Sequence, residues 1–96
     1  MSIGFFTFYS QDAGVGQGYY SAVDPSGTAG LVTMSVDSLT GPARLVITRY
    51  DGLPPFELTV QGGLEYGVSI DRIQTIGILN LSSATVTGSF SISIPE

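Results

Sequence analysis

The residue types that can do chemistry are few in this chain, and they are dispersed. The acids Asp12, Asp24, Asp37, Asp51, Asp71, Glu57 and Glu65 never fall into the Asp-x-Asp-x-Asp-Gly spacing of a calcium loop. A glycosidase-like pair of carboxylates would have to be assembled from outward strand positions and turns. Asp24-Pro25-Ser26-Gly27 and Asp51-Gly52 read better as turns, in which the carboxylate accepts hydrogen bonds from backbone N–H groups. Arg44, Arg49 and Arg72 are the only cations, and there is no His, Cys, Lys or Trp. Imidazole acid–base catalysis, thiol chemistry, disulfides and Cys/His zinc sites are therefore excluded. No serine sits in a nucleophile elbow. The reading is of a non-enzyme with no catalytic, cofactor-binding or metal-binding residues.

Two short motifs invite a functional reading and lose it on context. Gly14-Val15-Gly16-Gln17-Gly18 looks like a phosphate-cradling loop. The dinucleotide fingerprint needs a helix after it, and Tyr19 to Val23 reads as a strand instead. The glycines fit a flexible linker, or a strand face left bare for a neighbouring backbone. Asn80-Leu81-Ser82 matches a glycosylation sequon, but it lies at the end of a strand and is read as chance. An arginine beside Asp51 or Asp71 is ordinarily a surface ion pair. At a subunit interface the same guanidinium would make a bidentate contact.

The chain that must position these residues has 96 amino acids, one domain by length. Its net charge is −5, yet only 11% of residues are charged. Three arginines neutralise too few phosphates for nucleic-acid binding through a basic patch. A surface this poor in charge fits a protein covered by its neighbours, or a neutral Ser/Thr-rich extracellular β domain. No run of 18 apolar residues exists to span a membrane as a helix. The first 20 residues lack the basic start of a secretory leader.

The hydrophobic period is two along most of the length. Val86, Gly88, Phe90, Ile92 and Ile94 share one face of the last segment, and Thr85, Thr87, Ser89, Ser91 and Ser93 share the other. Phe56, Leu58 and Val60 alternate with Glu57, Thr59 and Gln61. Residues 73–81 are apolar on both faces. Turn signals recur every 8–12 residues. Eight strands are predicted, over 2–9, 18–23, 30–39, 43–50, 55–61, 65–70, 73–81 and 84–94. They fit an all-β jelly-roll or Greek-key sandwich.

The N-terminal segment is the exception to one-sided patterning. Phe5, Phe6, Phe8 and Tyr9 put rings on both faces of one strand. It reads either as the first strand of its own sandwich or as an arm that adds to a neighbour's sheet. In the second reading residues 1–17 form a connector arm and hinge, and residues 18–96 form the sandwich. Ile3, Phe5, Phe6, Phe8 and Tyr9 then make the subunit interface, with Gly14, Gly16 and Gly18 in or near the hinge.

From Thr28 to Glu96 the chain resembles the subunits of bacterial endospore appendage fibres. The likeness is carried by Leu31 to Val36, by Arg44 to Tyr50, and by Phe56-Glu57-Leu58-Thr59-Val60-Gln61-Gly62-Gly63. Tyr66 to Ile78 and Thr87-Gly88-Ser89-Phe90-Ser91-Ile92 continue it. The resemblance implies an eight-stranded jelly roll with an N-terminal connector that reaches into an adjacent subunit and builds a fibre. That family cross-links through cysteines. Here Ser91 stands where the final-strand cysteine would fall, so a relative with this sequence holds together non-covalently. The resulting expectation is a self-assembling, extracellular or spore-surface fibre subunit whose partner is itself, with no nucleic-acid partner. The alternative is a small carbohydrate- or receptor-binding sandwich of an adhesin or phage tail. Tyr19, Tyr20, Tyr50 and Tyr66 are its candidate stacking rings.

Overall fold

A computed structural model describes residues 2–22, 27–37 and 39–95. Seven strands account for most of them: β1 (Ser2–Gln11), β2 (Gly16–Ser21), β3 (Thr28–Val36), β4 (Ala43–Arg49), β5 (Phe56–Val60), β6 (Glu65–Asn80) and β7 (Val86–Pro95). No helix occurs among the described residues. The protein is all-β, as the period-two pattern requires. The expected Asp24-Pro25-Ser26-Gly27 turn falls largely outside the described residues.

All pairings are antiparallel, in the order β1-β7-β3-β6-β4-β5, with β2 also on β6. The sixteen-residue β6 serves both layers of the sandwich. Residues 65–70 pair with β3, and residues 73–80 lie between β2 and β4. The chain turns the corner at Asp71-Arg72, where Arg72 takes a φ of 54°. Irregular pairing at Thr28/Gly30 and Thr48/Arg49 accompanies the turn, as bulges do wherever a strand changes direction. The two strands expected over 65–70 and 73–81 are thus halves of one continuous element. Each half keeps its own period, so the pattern showed two segments while hiding the join.

One layer is β1-β7-β3 with the first half of β6. The other is β2, the second half of β6, β4 and β5. Between them lie Val32, Met34, Val36, Leu45, Ile47, Ile73, Ile76, Ile78, Phe90 and Ile92, all buried. Tyr19 of β2 crosses between the layers, its ring 5.9 Å from Phe90 and 6.2 Å from Tyr9. The Ser/Thr face of β7 points outward and bonds sideways: Ser35 and Ser89 hydroxyls meet at 2.6 Å, and Thr33 pairs with Ser91.

Candidate functional site

β1 is the edge strand of its layer. It pairs with β7 over its full length, from Ser2 opposite Pro95 to Gln11 opposite Val86. Its far edge has no strand beside it among the described residues. In the single chain the N-terminal segment therefore lies on its own domain.

Period two sorts the side chains of β1 into two functions. Phe6 and Phe8 face outward, 59% and 77% exposed, and their rings meet edge to face at 5.1 Å. Phe5 and Tyr9 face the core. Phe5 stays 47% exposed at the open end of the layer, 6.2 Å from the Phe90 ring. Tyr9 is buried, and its hydroxyl donates to the Ser35 carbonyl at 2.6 Å. Gly88 lies opposite Tyr9 because nothing larger fits: a Cβ there would stand 2.0 Å from the Ser35 carbonyl oxygen and 2.6 Å from the Tyr9 hydroxyl. Burial, then the nearby Asp37 charge and Tyr19, push the Tyr9 phenol well above its ordinary range. Burial pushes Tyr19 up as well. Ile3 pairs with Ile94; its side chain is outside the described part.

A polar network absent from the sequence reading fastens the inner end of β1. Gln11 and Asn80 are both buried. The Gln11 amide donates to the carbonyls of Val15 (2.7 Å) and Ile78 (2.9 Å), and its oxygen accepts from the Tyr19 hydroxyl at 2.7 Å. Asn80 donates to the carbonyls of Gln11, Asp12 and Ala84, and accepts from the Ser82 N–H and hydroxyl at 2.8 Å. The Asn80-Leu81-Ser82 sequon is thus part of the fold, its amide already engaged. The only sequence signal was positional: Gln11 and Asn80 both occupy inward places in the alternation.

The glycines separate. Gly14 sits in the turn between β1 and β2 with a φ of 73°, and Val15 N–H donates to the Asp12 carbonyl there. Gly16 and Gly18 lie within β2, opposite Leu79 and Gly77. Of the three expected hinge positions, the structure puts Gly14 in a connection and the other two in a strand.

Among the described residues the charged groups stand in separate pairs. Arg44 pairs with Glu57 at 3.7 Å, Arg49 with Asp71 at 2.5 Å, and Arg72 with Asp51. Among the described residues no group of acids has metal-binding geometry. The four candidate stacking tyrosines do not gather into one platform. Tyr20 bonds Thr28, Tyr50 donates to the Ala22 carbonyl, and Tyr19 is in the polar network while Tyr66 is exposed on β6.

No protein-family model matches this chain, and no curated protein does. A solved structure does. It belongs to the Bacillus endospore appendages, described as a novel family of disulfide-linked pili. The alignment covers 97% of this chain and 85% of that one, with a TM-score of 0.75 and 21% identity. This chain shares the fold of that pilus protein. It does not share the linkage named there, since it contains no cysteine.

Proposed function

We propose that this chain is a structural subunit of a non-covalent extracellular fibre, in which β1 of one copy takes its place on β7 of the next. The strand order, β1-β7-β3-β6 over β2-β6-β4-β5, is read as a jelly roll. Exchange of an identical element links copies at little thermodynamic cost, because the contacts made are those already present within one chain. The turn around Gly14 supplies the conformational freedom, since its left-handed backbone suits glycine. The observation that carries the reading is that β1 is an edge strand bonded to β7 alone, so it can leave one domain and join another without breaking any other pairing. The shared fold with a pilus protein supports the same reading.

Truncation tests it. Because Tyr9 and Gln11 belong to the core, the deletion stops at residue 8. The Δ2–8 protein is expected to remain folded and to form no filaments under negative stain, while the full chain forms filaments that reductant leaves intact. Filaments from the truncated protein would refute the proposal. Should the truncation unfold, cross-linking through Gly4→Cys/Ser93→Cys, which keeps β1 in place, makes the same test.

A further inference from the structure

Exchange of β1 leaves one side of that strand uncovered. β1 seats on a β7 through one edge and through the inward side chains Phe5 and Tyr9, and these contacts are the same on its own β7 or on another copy's. Its outer edge stays open in both cases. Alternate residues of an edge strand point their N–H and C=O groups away from the sheet, and such a row is a template for one more strand. Phe6 and Phe8 stand beside that row with their rings exposed.

Among the described strands the open edges belong to β1, β2, β5 and residues 65–70 of β6. The last three are guarded. β5 carries Glu57 and follows Pro54-Pro55. Residues 65–70 begin at Glu65 and end at the Asp71-Arg72 bend. β2 has six residues, and its pairing slips between Gly18 and Tyr20. Charge, proline, shortness and bulges are the devices that keep an edge from pairing. β1 uses none of them. Its ten residues hold no charge and no proline, and its register on β7 runs unbroken. In a chain of net charge −5, this is the edge that a second copy can approach without meeting a like charge.

The strand is also complementary to itself. Turned antiparallel about Thr7, two copies of β1 set Phe6 of each against Phe8 of the other, Phe5 against Tyr9, and Gly4 against Ser10. Centring the pair on Phe6 or Phe8 instead would leave one ring of each copy opposite Gly4 or Ser10. Aromatic side chains directly opposite one another strengthen an antiparallel pair, so the Thr7 register is preferred. We propose that the outer edge of β1 is a docking site for β1 of a second copy, centred on Thr7, which joins two β1-β7-β3-β6 layers into one continuous sheet across a two-fold axis. The contact does not need strand exchange, because β1 presents the same outer edge wherever it is seated.

A single thiol reads the pairing. Thr7→Cys puts one sulfur on each side of the axis, within disulfide reach. Strand exchange sets residue 7 against Phe90 and so brings no two thiols together. Oxidised, the Thr7→Cys chain is expected to run at about 20 kDa, twice the 10.0 kDa chain, and to return to the single chain with reductant. Ser10→Cys lies opposite Gly4 in this register, about 20 Å from its own counterpart, and is expected to stay a monomer. Charge then tests the ring pairs. Phe6→Lys/Phe8→Lys added to the Thr7→Cys chain, or Phe6→Glu/Phe8→Glu added to it, sets like charges opposite and should lower the cross-linked yield about tenfold. The melting temperature should hold, since both rings are exposed. Mixed one to one, the two variants set Lys against Glu and should recover the cross-link. A Thr7→Cys chain that stays a monomer would overturn the pairing and leave the edge to solvent or to a strand of a different protein. Ser10→Cys linking as readily, or a mixture linking no better than its components, would overturn it too. If Thr7→Cys links and the unaltered chain forms no filaments, this pairing stands and the fibre reading falls. If Gly4→Cys/Ser93→Cys gives covalent multimers and Thr7→Cys does not link, the fibre reading stands and this pairing falls.

Discussion

At the residue scale, single atoms decide whether β1 can sit on β7. Phe90 is 1% exposed and meets rings from β1 and β2. Phe90→Ala removes the common partner of Phe5 and Tyr19 and should lower unfolding stability by about 3–5 kcal/mol, read from denaturant midpoints. Tyr9 adds a pH signature. Its phenol is harder to ionise when folded than when unfolded, so the unfolded chain loses its proton first as pH rises. Stability from this group is whole below pH about 10, the ordinary tyrosine range, and drains away as pH climbs beyond it. Tyr9→Phe should flatten much of that alkaline slope and, by removing the donor to Ser35, lower neutral-pH stability by about 1 kcal/mol. Denaturant melts between pH 8 and 11 check both; equal slopes would contradict the burial of Tyr9. Alternation in the last strand already placed Phe90 and Ile92 inward. In β1 and β6 it put Gln11 and Asn80 at inward places without showing their role, because a polar residue there reveals itself only when the opposing layer supplies its partners.

At the element scale, the strands were legible where one face was apolar and obscured where glycine interrupted. β7, β5 and β3 announce themselves by period. Gly16 and Gly18 suggested a hinge, yet they sit in β2 beside Gly77, where a Cβ would stand 3.1 Å from the Gln17 carbonyl oxygen. Composition cannot tell a bare strand face from a linker. The N-terminal strand carried rings on both faces, and the structure divides them, Tyr9 inward and Phe6 and Phe8 outward. β1 has one bonded neighbour, whereas β3 has β7 on one side and β6 on the other. In dilute monomer the β1 amides should therefore exchange hydrogen faster than those of β3, and assembly should slow them. Equal protection of β1 and β3 in the monomer would mean that β1 is not an open edge.

At the scale of the whole molecule, the chain shares its fold with a disulfide-linked pilus protein yet contains no cysteine. A low density of charge and exposed rings on one edge suit the proposed covering by copies of itself, which the net charge of −5 opposes. The absence of thiols also makes the most direct test clean. Gly4 faces Ser93 across β1 and β7, both exposed, and neighbouring positions in an antiparallel pair lie within disulfide reach. A Gly4→Cys/Ser93→Cys chain, assembled under reductant and then oxidised, reports which molecule each β1 belongs to. Exchange of β1 between subunits gives a ladder of covalent multimers on a non-reducing gel that collapses to the single chain with reductant. Filaments in which every oxidised chain still runs as a monomer would show β1 staying on its own β7, and would contradict strand exchange as the joint of the fibre.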